Sequence, residues 1–293
     1  MKPRQIGRAS IVTIEDTAGP GFLADKMFPK FDPDAFAAQH HWLLPEFAEA
    51  DTNRLILSIH SWLVRTPHNN ILIDTCLGNH KERPVPGWNN LNTPYLARLR
   101  AAGVAPEEID FVMCTHLHVD HVGWNTELRD GRWVPTFPNA RYLFAAKEYA
   151  YWEAERKRTP ETPVNGGSFD DSVLPVVEAG RAVLIGTDYQ TDPLFTIRDA
   201  PGHTPGSITI ELVDGGSRAL FTGDIMHHPI QVYRPDWSSQ FCWDPELSAR
   251  TRRQVLEHCA EHNDLLCPAH FPGPNAGYIR TRGDAFEIQW DRR

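Results

Sequence analysis

The chain has 293 residues, of which 41% are hydrophobic and 23% charged, a composition typical of a soluble globular protein. Its net charge is −9, from 29 Lys and Arg against 38 Asp and Glu. This balance gives no electrostatic reason to expect nucleic acid or an anionic membrane as a partner, and we expect neither.

Short apolar runs typical of β-strands recur along the chain, with helical segments between them. The predicted strands are 10–14, 55–64, 70–74, 111–115, 141–144, 182–185, 208–213, 219–222 and 264–267. The helices, bounded by capping and stop signals, are predicted at 93–103, 145–158 and 244–262. Strands mixed with helices in this order predict a layered α/β or α+β domain.

Two aromatic-rich stretches broken by prolines stand apart from this pattern, at 19–51 and 227–243. Such segments are most often loops folded onto their own domain, but beside ligand residues they can form the wall of a substrate pocket. The first is a candidate lid or dimer contact, which leaves a homodimer open. The second makes Tyr233, Trp237 and Phe241 candidate pocket residues.

The five cysteines are scattered and form no C-x-x-C pair, which indicates free thiols in a reducing compartment. The apolar stretch 11–14 is too short for the core of a signal peptide, and no run approaches the length that crosses a bilayer. We therefore expect a cytoplasmic protein with no membrane partner.

The densest set of candidate ligands directly follows the strand predicted at 111–115. Alternation along an extended chain points His116 and His118 the same way. A turn after His118 would bring Asp120 and His121 toward the same space. Imidazole and carboxylate groups together suit zinc and its first-row neighbours. A surface His-rich turn is the alternative, but four candidate ligands at a strand end favour a metal site.

Three later loops each offer one more candidate ligand. His203 lies in a loop whose glycines and prolines fix a turn, while Asp224 and His270 each follow a predicted strand. Each could be an ordinary polar loop residue. Together they supply the further histidines and the carboxylate that a site for two metals requires.

These motifs resemble those of the metallo-β-lactamase-fold hydrolase superfamily, in the expected order from about residue 55 to residue 270. The matching elements are His116-x-His118-x-Asp120-His121, Gly202-His203-Thr204-Pro205-Gly206, Thr222-Gly223-Asp224 and His270. The resemblance implies an αββα sandwich, of the α/β (α+β layered) class. We expect it to form one domain over 1–293, with 19–51 as an insertion.

The resemblance also implies two groups of metal ligands joined by one acid. They are His116, His118 and His203 for the first metal, Asp120, His121 and His270 for the second, and Asp224 as the bridge. Asp74 would orient a ligand imidazole, as metal-bound histidines usually require, or is a plain strand-end acid. The implied cofactors are two divalent ions, with zinc expected first and manganese, cobalt or iron as alternatives.

Two divalent ions can share a hydroxide that attacks an electrophilic carbonyl or phosphorus. Asp120 is a candidate proton carrier to the leaving group as well as a ligand. His227 stands three residues after Asp224, where acyl-homoserine lactonases of the family commonly have tyrosine. This pattern looks more like the branch containing methyl-parathion-hydrolase-type enzymes. His227 is therefore either a substrate contact or a core histidine.

The leading hypothesis is a dinuclear metal-dependent hydrolase of small-molecule lactones or esters with an apolar portion. The same site could instead hydrolyse phosphotriesters. A third class is iron-dependent persulfide oxygenation or glutathione thioester hydrolysis, which iron in the purified protein would favour. The last alternative is a non-catalytic metal-binding protein, which a site with six or seven ligands disfavours because structural zinc is normally closed by four.

Overall fold

The computed structural model describes residues 3–292, so residues 1, 2 and 293 of the expected domain lie outside the described residues. The described strands form two mixed sheets and a hairpin. In sheet order, the first contains β1 (Arg4–Ile6), β2 (Ala9–Leu23), β3 (Arg54–Arg65), β4 (Asn70–Ile73), β5 (Phe111–Met113), β8 (Arg141–Ala145) and β9 (Ala182–Ile185). The second contains β10 (Phe195–Asp199), β11 (Ile208–Asp214), β12 (Ser217–Gly223), β13 (Leu265–Pro268), β14 (Gly277–Arg282) and β15 (Ala285–Trp290). The hairpin joins β6 (Thr126–Arg129) to β7 (Arg132–Pro135).

The helices lie along the outer faces of the sheets and in the connections. They are α1 (Ala24–Met27), α2 (Pro33–Ala37), α3 (His40–Leu43), α4 (Tyr95–Ala101), α5 (Val119–Val122), α6 (Ala146–Arg158), α7 (Leu174–Glu178), α8 (Ile230–Tyr233) and α9 (Pro245–His262). Short 3-10 turns occur at Pro86–Trp88, Pro106–Glu108, Gly123–Asn125 and Val164–Gly167, and a π-helical turn at Phe169–Val173. No helix within residues 3–292 is both long enough and apolar enough to cross a membrane.

Three apolar layers hold this arrangement together. In β3 and β4, Trp62 and Ile73 pack between the two sheets, whereas Leu63 and Leu72 pack on the outer face under α4 and α6. Successive side chains of a strand point to opposite faces, and both faces of these strands are covered. The two runs are therefore apolar on both sides. A third layer lies between the second sheet and α9. The result is the αββα sandwich that the motifs imply.

The predicted start of α9 is confirmed. The Asp244 carboxylate caps the helix by accepting hydrogen bonds from the backbone nitrogens of Glu246 and Leu247, at 3.1 and 2.9 Å. Proline follows at the first helical position, where its missing N–H leaves no donor unpaired. The start predicted for α4 differs, since the Thr93 hydroxyl donates to Asp16 instead of capping and the helix begins at Tyr95.

The aromatic stretch 19–51 is only partly the loop that its prolines indicate. β2 continues to Leu23 and stays paired with β3, with irregular register between Glu15 and Thr17 and between Pro20 and Leu23. Helices α1 to α3 follow and form an apolar cluster with Leu55, Ile230 and Trp237. The segment is therefore packed on the body of the protein.

Candidate metal centre

The candidate ligands lie at the ends of strands from both sheets. β4 runs parallel to β5, and β12 runs parallel to β13, so the carboxyl ends of each pair meet at the same edge. Asp74 follows β4, the segment 116–121 follows β5, Asp224 follows β12, and His270 lies two residues after β13. His203 enters from the loop between β10 and β11. Residues distant in sequence are thus gathered at one edge of the sandwich.

The first group of ligands is formed by three histidines and one carboxylate oxygen. The Nδ1 atom of His118 lies 3.1 Å from Nε2 of His116 and 2.8 Å from Nε2 of His203. Oδ2 of Asp224 lies 3.2 Å from Nε2 of His203. Four potential ligand atoms therefore face a common point. We call this set the three-histidine group.

The second group of ligands surrounds the other oxygen of Asp224. Oδ1 lies 3.1 Å from Nε2 of His121 and 2.9 Å from Nε2 of His270. Oδ2 of Asp120 lies 3.5 Å from the same nitrogen of His270. We call Asp120, His121 and His270 the two-histidine group. Asp224 therefore turns one carboxylate oxygen toward each group.

Hydrogen bonds at the far ring nitrogens fix which nitrogen faces the centre. Nδ1 of His121 donates to Oδ2 of Asp74 at 2.9 Å, and Nδ1 of His270 donates to the Ser58 carbonyl at 3.0 Å. The Nε2 atoms of these rings are then left with lone pairs directed at the centre. This is the arrangement in which metal-bound histidines are normally held.

His116 and His203 are held in the same way. The Thr115 hydroxyl donates to Asp74 at 2.8 Å, so its oxygen accepts from Nδ1 of His116 at 3.1 Å. Nδ1 of His203 contacts the Cys242 sulfur at 3.7 Å. Asp74 therefore orients His121 directly and His116 through Thr115.

The chemistry of this donor set fits a divalent cation. Oδ1 of Asp224 is buried and has no hydrogen-bond partner among residues 3–292, an arrangement that normally costs stability. The ring nitrogens of His116 and His203 lie 3.1 and 2.8 Å from Nδ1 of His118, about the length of a hydrogen bond. A cation between them would satisfy the orphan oxygen and remove the repulsion between their lone pairs.

The electrostatics of the centre favour positive charge around Asp224. Burial alone lowers the pKa of His203, but Asp224 outweighs it and raises the pKa to about 9. Burial opposes ionisation of Asp224, yet His121 and His270 bring its pKa well below the usual range. Burial holds the pKa of His116 well below its ordinary value. The charge of Asp224 therefore favours positive charge at the centre, and a bound cation would take the place of the proton on His203.

A cavity of about 870 Å³ opens over both ligand groups. His118, Asp120, His203, Asp224, His227 and His270 lie at its base, and its walls include Phe22, Met27, Leu57, Ile59, Trp88 and Phe241. The Phe22 ring lies 6.3 Å from Trp88 and 5.2 Å from Phe241, so three separate segments meet at this wall. A volume of this size with few polar groups is typical of small-molecule sites.

Of the three aromatic residues predicted to line a pocket, the structure places only Phe241 in this cavity wall. Trp237 is fully buried, with its ring 5.7 Å from Phe28. Tyr233 stacks on Trp42 at 4.5 Å. These two residues therefore hold the 19–51 segment against the 227–243 stretch, and their expected pocket role is corrected. Their rings pack against apolar side chains of the distant 19–51 segment and therefore do not line the cavity.

The adjacent histidines 227 and 228 have different surroundings. His227 lines the cavity, its Nε2 lies 3.2 Å from Oδ2 of Asp224, and burial lowers its pKa to about 4. His228 faces away, because its Nε2 donates to the Phe47 carbonyl at 2.8 Å and its Nδ1 accepts from Ile230 at 3.2 Å. His228 is a structural residue, and His227 is placed where a substrate could meet it.

Sequence reasoning missed two side chains that contact the ligand loops. Glu148 in α6 accepts hydrogen bonds from both loops of the three-histidine group, and Cys242 contacts His203. Nothing in the local sequence marks Glu148, which reads as one more polar residue of a helix. Of the five free cysteines, Cys242 alone is only half-buried.

A third set of acids and a histidine, away from these loops, has a different explanation. Glu211, His258 and Asp264 lie together, but the Arg218 guanidinium pairs with both carboxylates and lies 2.6 Å from Asp264. Arg198 adds a second positive charge beside Glu211 at 3.2 Å. The carboxylates are already neutralised, so this set is an ion-pair network.

Comparisons with known proteins agree with this geometry. A family model described as the metallo-beta-lactamase superfamily matches residues 56–285. The N-acyl homoserine lactonase AttM of Azorhizobium caulinodans is 30% identical over 131 residues, which cover 43% of this chain and 44% of that protein. The matched part of the chain thus spans less than half of that lactonase.

Two solved structures share the fold over nearly their whole length. The hydrolase AbOPH, of the beta lactamase superfamily, superposes with a TM-score of 0.81 at 24% identity, covering 99% of this chain and 96% of that one. The dizinc quorum-quenching lactonase AidC superposes with a TM-score of 0.79 at 20% identity, covering 99% and 97%. With the family model matching most of its length, the chain belongs to the metallo-beta-lactamase superfamily.

Proposed function

We propose that the protein is a dinuclear metal-dependent hydrolase of lactones or esters that carry an apolar portion. The observation that carries the proposal is that two ligand groups, sharing Asp224, lie at the base of one largely apolar cavity. The similarity to AttM supports a lactone, since AttM is an N-acyl homoserine lactonase and such substrates join a lactone to an acyl chain.

The proposed ligands are those whose free ring nitrogens and carboxylate oxygens converge on the centre. They are His116, His118 and His203 in the first group, Asp120, His121 and His270 in the second, and Asp224 between them. Zinc is the metal we expect first for this donor set. Bound divalent ions would polarise the substrate carbonyl and make water a stronger nucleophile at neutral pH.

The residues of the chain would bind the substrate and move its protons. Asp120 is the more exposed acid of the centre, with 13% of its side chain accessible against 4% for Asp224, so we assign to it the transfer of a proton to the leaving oxygen. His227 directs Nε2 toward the ligand groups, and we assign to it a hydrogen bond to a substrate oxygen. Its lowered pKa keeps the ring neutral at pH 7.

The position of the 19–51 segment fits a cover over the bound substrate. Its first residues, 19–23, and Met27 lie along the cavity, and Phe22 contacts aromatic rings from two other segments. We propose that this segment bounds the space for the apolar portion of the substrate.

Phosphotriester hydrolysis is the second candidate, and His227 is the observation that favours it. A neutral imidazole stands in the cavity where the family's acyl-homoserine lactonases commonly have tyrosine. Faster turnover of paraoxon or methyl parathion than of carboxyl esters would select this reaction.

The proposal is tested by measuring metal content and hydrolysis on the same zinc-loaded protein. A panel of γ-lactones, acyl-homoserine lactones and aryl esters, each with short and long acyl chains, covers the proposed substrates. We expect about two metals per chain and turnover that a chelator abolishes. Failure to hydrolyse any member of the panel with both metals bound would exclude the proposed reaction.

A further inference from the structure

A buried carboxylate outside the ligand set connects the loops that carry the three-histidine group. Glu148 lies in the first turn of α6 and is 0% exposed. Its Oε1 accepts from the Leu117 backbone at 3.1 Å and from the Trp152 indole at 2.7 Å. Its Oε2 accepts from the Thr204 hydroxyl at 2.7 Å and from the Gly206 backbone at 3.0 Å. Each carboxylate oxygen is therefore fully engaged by two donors.

These donors flank the ligands of one group. Leu117 lies between His116 and His118, so its backbone hydrogen bond fixes the loop that carries both rings. Thr204 directly follows His203. One carboxylate thus sets the distance between the two loops that together supply all three histidines.

The packing around Glu148 leaves these loops little freedom to shift. A Cβ atom added to Gly206 would lie 2.2 Å from the backbone nitrogen of Glu148, so the loop rests directly on the start of α6. The Trp152 ring, whose indole N–H is bound by Glu148, packs edge-on against His118 with ring centres 5.5 Å apart. Glu148 therefore acts on His118 from two directions.

The two-histidine group is held by other residues. Asp74 binds His121, and the Ser58 carbonyl binds His270. Asp74 also reaches His116 through Thr115, so its influence extends to both groups. Within residues 3–292, the hydrogen bonds of the Glu148 carboxylate go to Leu117, Trp152, Thr204 and Gly206, and not to the two-histidine group or its direct neighbours.

We propose that Glu148 is the positioning residue of the three-histidine group, and that its loss empties that metal position while the other stays filled. The inference rests on the proposed function, since it takes the two groups as metal ligands. Glu148→Gln would keep one carbonyl acceptor but turn an NH₂ group toward two of the four donors. The loops would then separate to relieve that contact. Mutation of a residue that orients metal ligands typically lowers the metal affinity about 10- to 100-fold.

The test is the metal stoichiometry of Glu148→Gln, measured by elemental analysis after dialysis against a series of buffered zinc concentrations. We expect about two zinc ions per chain in the wild type and about one in the variant at intermediate free zinc. Glu153→Gln is the matched control, because Glu153 lies on the same helix but accepts from Lys157 and Tyr149, away from the ligand loops. It should bind two.

Double variants identify which position empties. In a His121→Ala background, where the three-histidine group would hold the remaining metal, adding Glu148→Gln should remove it. In a His116→Ala background the same change should cause no further loss. The absorption of cobalt-substituted protein gives an independent readout of the coordination that is lost.

Kinetics separate positioning from general destabilisation. Raising free zinc should restore kcat of Glu148→Gln toward the wild-type value with KM nearly unchanged, and the metal-free proteins should melt within a few degrees of each other. If Glu148→Gln does not fold, Thr204→Val removes one of the four donors and should lower the affinity of the same metal position by a smaller factor.

The outcomes distinguish this inference from the proposed function. A wild-type protein that binds no metal would overturn both. A wild-type protein with two metals, beside a Glu148→Gln variant that also keeps two with unchanged affinity, would overturn only the role of Glu148. Equal weakening of both metals in the variant would likewise contradict it.

Discussion

The imidazole of His203 is backed by the thiol of Cys242, whose sulfur lies 3.7 Å from Nδ1. Backbone pairing fixes this contact, because the Trp243 nitrogen donates to the His203 carbonyl at 2.8 Å. The other side of the ring, at Nε2, faces His118 and Asp224. Burial alone raises the pKa of the thiol, but the His203 hydrogen bond outweighs it and the pKa falls to about 7. Cys242 is thus an acceptor that holds a proposed ligand in orientation.

We predict that Cys242→Ala lowers metal affinity at the three-histidine group by up to about 10-fold, because the acceptor for His203 is lost. Cys242→Ser keeps an acceptor and should retain most of that affinity. Cys259→Ala is the control, since Cys259 lies on the buried face of α9, in another apolar layer. Equal metal affinities in the alanine and serine variants would exclude the orienting role.

The histidines at the base of the cavity should separate into ligands and substrate contacts. His118→Ala removes a proposed ligand and should lower both metal content and turnover. His227→Ala should leave metal content unchanged and reduce turnover by about 10- to 100-fold, since it removes a hydrogen bond to the substrate. Metal analysis and kcat on the same preparations provide the measurement. Normal activity and metal content in His118→Ala would contradict the ligand assignment.

The aromatic wall of the cavity should affect long substrates more than short ones. Phe241→Ala removes a ring that lies 5.2 Å from Phe22, so KM for long-chain acyl substrates should rise several-fold while short-chain substrates change little. Trp243→Ala provides the control, because that ring is 55% exposed and lies outside the cavity lining. The same change in KM for every chain length would contradict the assignment of this wall to the apolar portion.

Lys81 gives a prediction on stability and pH. Its side chain is 1% exposed, donates to Thr126 at 2.8 Å and lies 3.6 Å from the Trp133 ring centre. Burial lowers its pKa from 10.5 to about 7, although Asp171 acts in the opposite direction. Between pH 7 and pH 10.5 the unfolded chain therefore holds the proton that the folded chain has released. Its contribution to the free energy of unfolding should rise with pH, by at most about 1.4 kcal/mol per pH unit.

The measurement for Lys81 is urea unfolding of the wild type and of Lys81→Met from pH 7 to pH 10. The difference in unfolding free energy, wild type minus variant, should increase across this range. Lys147→Met is the matched control, since Lys147 is exposed and pairs with Asp199 at the surface. A difference for Lys81 that stays flat with pH would rule out a buried amine of lowered pKa.

The proposed ligands could be found from sequence because each stands in a short motif that follows a predicted strand. Strand alternation and turn residues place His116 and His118 near each other without knowledge of the tertiary fold. The orienting residues could not be found this way. Glu148 and Cys242 act through contacts across 31 and 39 positions of the chain. Such contacts depend on how whole layers pack.

The dependence on tertiary packing also explains why the end of β2 and the predicted pocket residues differ between the sequence prediction and the structure. Trp237 looked like a pocket residue because it follows Asp224 closely, but Phe28 and Phe31 fill the space around it. The sequence pattern predicts that β2 ends near residue 14, yet pairing with β3 carries it past Gly19 to Leu23. Tertiary pairing here overrides the local turn signals of glycine and proline.

Whether the protein is a dinuclear hydrolase is decided by titrating metal-free protein with zinc and measuring lactone and ester hydrolysis at each step. We expect activity to rise to a maximum at about two zinc ions per chain, and Asp224→Ala, which removes the shared carboxylate, to abolish this rise. Full activity in the metal-free protein, or an Asp224→Ala variant that is as active as the wild type, would contradict the proposed function.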